Sequence, residues 1–271
     1  NQLHNRLRLQ WDNQKSWRVK LGMRNRLLIG DTPYAFIFVD EVLVTGNDYF
    51  DLSVSFPDKR RSWKLHSIID RAFVEYNRND WEIRLGRQRI NWGVNLVWNP
   101  HDLFNAFAFF DFDYVERPGT DALSIKKYTG FASSFEFVSN LSDDLDRAIW
   151  AGLYKFNVAQ YDYQVYLAKA LQDISLGFAW SGNIKNAGFK GELSLFQPYT
   201  NTNERSIAFA GSLGWDYVYE SGLYMASSLL YTSDTANELN VLGFSFSNNT
   251  SVSARTLSPF SWSILYQLGY N

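Results

Sequence analysis

Apolar and polar residues alternate along most of the chain with a period of two. Leu3, Leu7, Leu9 and Trp11 are interleaved with His4, Arg6, Arg8 and Gln10, and Trp17, Val19, Leu21 and Met23 with Arg18, Lys20, Gly22 and Arg24. The pattern returns in Tyr161–Ala168, Ile174–Ser181, Phe189–Leu195, Ile207–Tyr219 and Phe260–Tyr270. Side chains that alternate in this way point to opposite faces of a strand, one apolar and one small or polar. About thirteen segments of this kind can be counted, close to the roughly ten residues of a tilted membrane-crossing strand. Two segments fit least well. In 65–76 either register puts a wrong residue on the apolar face, and 121–127 is short.

A soluble β-sandwich or propeller would also alternate. Two features favour a bilayer. Aromatic residues bracket the short connections: Trp11 and Trp17, Tyr76 and Trp81, Tyr154/Phe156 and Tyr161, Trp180 and Phe189, Tyr217/Tyr219 and Tyr224. Amphipathic rings at strand ends are what a membrane interface selects. Connections also alternate in length, with 12–16, 77–80, 157–160, 182–186 and 220–222 short and 30–63, 88–120, 197–205 and 232–258 long. The predicted fold is all-β, a single transmembrane antiparallel up-and-down β-barrel over 1–271, with about 14 strands and long extracellular loops. If short turns face the periplasm, the first and last strands run the same way. An even count then calls for one more strand, expected before Asn1 or hidden in a long loop.

Composition narrows the classes further. Mean hydropathy is −0.28, and no apolar run approaches the roughly 18 residues of a spanning helix. Twenty-one Phe, sixteen Tyr and ten Trp are too much apolar surface for a disordered chain. The 26 basic and 28 acidic residues nearly cancel, so no global field recommends nucleic acid. Cysteine is absent, which excludes disulfides and thiolate metal sites. The expected location is the bacterial outer membrane, with its lipid, lipopolysaccharide included, as the surroundings.

The polar face of the first strands carries Arg6, Arg8, Arg18, Lys20 and Arg24; Arg71 and Arg84 lie nearby with Glu75 and Glu82, and Arg87 and Arg89 follow. These are the candidate lumen or constriction residues. Such rows are read in two ways: as Arg–Glu ladders that satisfy one another across strands, or as a basic stripe that favours anions. The rest of the inward face, with Glu136, Asp162, Gln164, Lys190, Glu192 and Asp216, is sparse and mixed in sign.

Segment 86–120 is too rich in Phe for a solvated loop tip and must fold inward or meet a partner. Gly86, Arg87, Gln88, Trp92, Gly93, Asn99, Pro100, Asp102 and Phe104 resemble a motif of the porin-like outer-membrane barrels of the alginate-export type and their Bacteroidota relatives. The resemblance spans about 35 residues. It implies a monomeric outer-membrane barrel with a loop descending into the pore. Arg and Lys are not spread over all strands as a polyanion exporter would want.

Phe36, Ile37 and Phe38 in 30–63 add apolar area, as do Trp92, Trp98, Phe104, Phe107, Phe109 and Phe110 in 88–120. They are expected to be contact surfaces, toward the protein's own lumen or toward other outer-membrane proteins or lipoproteins. Asp111, Asp113 and Glu116 read as a solvated acidic loop, and His66-Ser67 cannot pair because neighbouring strand residues face opposite ways. No enzyme, cofactor or metal site is expected. The function that follows is a channel for small solutes with a mild preference for anions, narrowed by the 86–120 loop. The alternative is a barrel subunit of a larger outer-membrane assembly, without transport of its own.

Overall fold

The computed structural model describes residues 2–29, 49–56, 63–105, 119–142, 144, 146–199, 206–235 and 253–270. Among these residues fourteen antiparallel strands follow one another: β1 (Gln2–Asp12), β2 (Trp17–Ile29), β3 (Ser53–Phe56), β4 (Trp63–Arg78), β5 (Trp81–Gln88), β6 (Thr120–Gly130), β7 (Ser133–Asn140), β8 (Ile149–Val158), β9 (Tyr161–Ala170), β10 (Asp173–Ile184), β11 (Ala187–Pro198), β12 (Ala208–Val218), β13 (Leu223–Thr232) and β14 (Trp262–Tyr270). Each pairs with the next in sequence, except that β2 pairs directly with β4. The short β3 lies on the same edge of β4 as β5, against Leu65–Ile68, while β5 takes Ala72–Arg78. The wall is thus up-and-down, and β3 patches its rim.

The alternation seen in the sequence becomes two faces. In β10, Ile174, Leu176 and Phe178 are exposed while Asp173, Ser175, Gly177 and Ala179 are buried. In β9, Leu167 is 61% exposed and its neighbours Tyr166 and Ala168 are buried. An apolar face turned outward against a polar face turned inward reverses the soluble order and suits hydrocarbon surroundings. On the outer face, the rings of Tyr154, Phe156, Tyr163, Phe178, Trp180 and Phe189 follow one another across β8–β11 at centroid spacings of 5.5–5.9 Å. They form a band toward one rim, the height at which amphipathic rings settle at a membrane interface.

That rim carries the tight connections 13–16, 79–80, 131–132, 159–160, 185–186 and 219–222. In the first, the Asn13 side-chain oxygen accepts the N–H groups of Lys15, Ser16 and Trp17, each at 2.9 Å, a side chain standing in for a backbone turn acceptor. The opposite rim departs from the expected rule of long connections. Between β9 and β10 only residues 171–172 intervene, with Leu171 at φ 55°.

The two segments that read poorly are both strands. β4 has a bulge: Gly22 faces Arg71 and Met23 faces Ile69, so Asp70 is the extra residue. A bulge reverses the parity of everything beyond it, which is why no single register satisfied 65–76. β6 runs the full eleven residues to Gly130.

Among the described residues β1 and β14 are the two edges of the sheet, with no hydrogen bonds between them. Both run from the loop rim to the turn rim, so the two edges are parallel in direction.

Candidate functional site

Residues 89–105 leave β5 at the loop rim and pack against the inward face of β6–β12. The segment has an apolar root and a polar tip. At the root, Ile90, Trp92, Leu103 and Phe104 join a buried cluster with Ala122, Val138, Ile149, Leu153 and Tyr166 of the wall. Trp92 meets Phe104 edge-on at 5.3 Å, and its indole N–H donates to Glu136 at 3.3 Å. Trp98 packs separately with Leu230 and Leu257.

The tip is held by side chains of the wall. Glu192, on the inward face of β11, has no measurable exposure. One of its oxygens accepts the main-chain N–H groups of Val94 and Asn95 at 2.6 and 2.8 Å, and the other accepts that of His101 at 3.0 Å. Converging amides of this kind form a cradle for an acceptor group, and here the acceptor is a carboxyl group supplied by the wall. The Asn95 side-chain amide donates to Ser212 Oγ at 2.6 Å, and Ser194 Oγ donates to the carbonyl of Pro100 at 3.0 Å. Gln164 donates both to the carbonyl of Trp92 and to His101 Nδ1. His101 therefore carries its proton on Nε2, which reaches the Leu193 carbonyl at 3.2 Å. Burial pushes the His101 imidazole down to about 4.

Across the interior, the inward face of β1, β2, β4 and β5 is charged and partly exposed. Glu75, 2% exposed, is bracketed by Arg18 at 2.8 Å and Arg84 at 2.6 Å. Arg84 also reaches Glu82 at 2.8 Å, Arg18 reaches Asp12 at 3.1 Å, and Arg6 pairs with the bulged Asp70 at 2.7 Å. Arg8, Lys20 and Arg24 share that face by register, Lys20 standing 5.9 Å over the Phe73 ring. Arg71 donates to the Asp70 carbonyl at 2.6 Å, and Arg89 lies just past the end of β5, partly buried. The stripe is thus a ladder in which Arg6, Arg18 and Arg84 already have carboxylate partners.

Arg87 does not face an opening. Its guanidinium holds Asp121 at 2.8–2.9 Å and donates to the carbonyls of Ile69 and Phe50, with almost no exposure. The N–H of Phe50 returns to Asp121 at 3.0 Å, so the pair ties the strand rim to the chain entering β3. Trp92, Trp98 and Phe104 are buried within the protein's own interior. Phe36, Ile37, Phe38, Phe107, Phe109, Phe110, Asp111, Asp113 and Glu116 lie outside the described residues. His66 pairs with Ser55 of β3 across the strands, Oγ to Nδ1 at 2.8 Å, while Ser67 points away to Asn25. Among the described residues no group of three His, Cys, Asp or Glu could hold a metal.

Glu192, Gln164, His101 and Ser212 are the residues that sequence reasoning did not bring together. Period two placed Glu192 and Gln164 inward, but their partners lie 63–98 positions away in the tip.

No known protein family matches the chain, and no curated protein is similar to it in sequence. Among solved structures it is similar to OccK11 (OpdR) of Pseudomonas aeruginosa, with 8% identity and a TM-score of 0.47 over 86% of this chain and 61% of that one. It is similar to OccK8 (OprE) of the same organism at 9% identity and TM-score 0.45, over 98% and 77%. With OprB of Pseudomonas putida the values are 10% and 0.41, over 86% and 80%. The chain spans about three-fifths of the length of OccK11.

Proposed function

We propose that the protein is a porin-like channel of the bacterial outer membrane, narrowed by residues 89–105. The carrying observation is the division of the interior. The tip and its root fill the side lined by β6–β12, while opposite them Arg18 and Arg84 keep 35% and 33% exposure on the inward face of β2 and β5. A polar path bounded by a seated loop and a charge ladder passes small hydrated solutes and rejects large ones. The outward apolar face and its aromatic band support lipid, lipopolysaccharide included, as the surroundings.

Anionic solutes are favoured only weakly in this reading. Glu75, Glu82 and Asp70 offset much of the base that Arg6, Arg8, Arg18, Lys20, Arg24 and Arg84 bring to that face. The resemblance to alginate-export barrels through residues 86–104 extends to a descending loop; the ladder lends no support to a polyanion as cargo. Closure of the wall belongs to the same proposal. An open edge in hydrocarbon leaves backbone groups unsatisfied at several kcal/mol each, and two edges running the same way are joined antiparallel by one added strand.

Reconstitution into planar bilayers tests the channel. Discrete conductance steps with an anion/cation permeability ratio slightly above one are expected. Changing Arg8, Lys20 and Arg24 together to Gln should bring the ratio to one or below. Vesicles that stay impermeable to ions and small sugars with the tip residues 94–98 deleted would overturn the reading.

A further inference from the structure

We infer that Glu192 is the latch of the channel: it sets where the tip sits, and thereby how wide the path beside the charge ladder is. The inference rests on the channel reading above and adds to it the residue that governs the opening.

The two parts of the inward segment are held by different forces. The root is fixed by apolar burial, which is non-directional and spread over many wall residues. The tip is fixed by hydrogen bonds to a few polar side chains, and three of them end on one carboxylate. Glu192 takes both strands of the tip at once, Val94 and Asn95 on the way in and His101 on the way back. Ser194 adds a bond to Pro100, Ser212 one to Asn95, and Gln164 bonds to Trp92 and His101.

Removing the carboxylate leaves three main-chain N–H groups facing an apolar or neutral pocket. Buried donors without acceptors are costly, and the tip can satisfy them by moving into the water of the path. The root, anchored by Trp92 and Phe104, holds the segment inside the barrel while this happens. The latch therefore controls a hinged tip and leaves the root in place.

The experiment compares single-channel conductance of the wild type, Glu192→Ala and Glu192→Gln in planar bilayers, with folding checked by the heat-dependent shift on gels. We expect Glu192→Ala to raise conductance or open-state noise by about twofold or more, as a widened constriction does, and Glu192→Gln to fall between. A second arm adds Asn95→Cys with Ser212→Cys to each form; the chain has no cysteine of its own. Oxidation should return the Glu192→Ala channel to the wild-type level, and reduction should release it again. A purely structural role for Glu192 would not give this reversible rescue. Folded Glu192→Ala and Glu192→Gln channels with unchanged conductance overturn the latch and leave the channel standing. If neither wild type nor variants conduct, deletion of 94–98 decides: conductance in the deletion overturns the latch alone, and silence overturns the channel with it.

Discussion

Arg87 and Asp121 face each other across β5 and β6, 2.8 Å apart, with side-chain exposures of 1% and 3%. An ion pair so deeply buried is costly to break from one side, because the remaining charge is left without a partner. Arg87→Ala or Asp121→Ala should each destabilise the protein by about 3–5 kcal/mol, read as a lower urea midpoint in lipid vesicles. Arg87→Met combined with Asp121→Leu should lose much less. Equal losses in all three would show that the hydrogen bonds to Phe50 and Ile69 matter more than the charges.

The two faces of the wall should respond to charge according to their surroundings. Leu176 and Leu213 are exposed on the outer face, and Arg at either should cost roughly 2–4 kcal/mol near the bilayer centre. The inward face offers no relief where it is packed. A side chain at Gly177 would overlap the Tyr166 ring, and Ser212 is occupied by Asn95. Gly177→Ala should therefore lower the unfolding midpoint although it adds one methyl group. A neutral outcome for Gly177→Ala would mean that Tyr166 repacks freely.

Acid should act against the burial of His101. Folded His101 stays neutral down to about 4 because it is buried, against 6.5 for an unhindered imidazole. Between these values the unfolded chain takes up a proton that the folded chain refuses. The contribution of His101 itself therefore falls as pH drops from about 6.5 to about 4, by roughly 3 kcal/mol. Comparing urea midpoints at pH 7.5 and 4.5, His101→Gln should show a smaller acid loss than the wild type. Equal losses would remove His101 from the account.

The two edges of the described sheet make a distance prediction. Neighbouring strands lie about 4.8 Å apart, so edges that flank one added strand are separated by roughly 10 Å. Cysteines placed at Arg8 or Gln10 of β1 and at Leu265 or Gln267 of β14 should resist direct disulfide formation and accept a crosslinker of about 10 Å. Ready disulfides would mean that β1 and β14 close directly in parallel.

Most of the wall was legible in the sequence because period two is a local signal and lipid demands that it be kept. Where it faded, a local cause exists: the extra residue Asp70 flips the faces within β4. The partners of Arg18 and Arg84 were also within reach, because a tight turn at 79–80 sets Glu75 opposite Arg84. Arg87 was misplaced among the lumen residues because its partner Asp121 comes 34 positions later, and nothing near Arg87 announces it. The two-residue connection 171–172 was missed for a different reason. It turns on Leu171 with positive φ, a conformation that Gly or Asn would have advertised.

The inward segment also has a place in time. Its root contacts Glu136, only 44 positions on from Trp92, but its tip waits for Glu192 and Ser212, 97 and 117 positions beyond Asn95. Closing a long loop costs more entropy than closing a short one, and distant contacts form late. Part of the root's cluster comes from β6–β9, and of the bonds to the tip only those from Gln164 of β9 precede β11 and β12 in the chain. By this ordering, narrowing of the passage depends on strands in the second half of the chain, although the loop that narrows it lies in the first half.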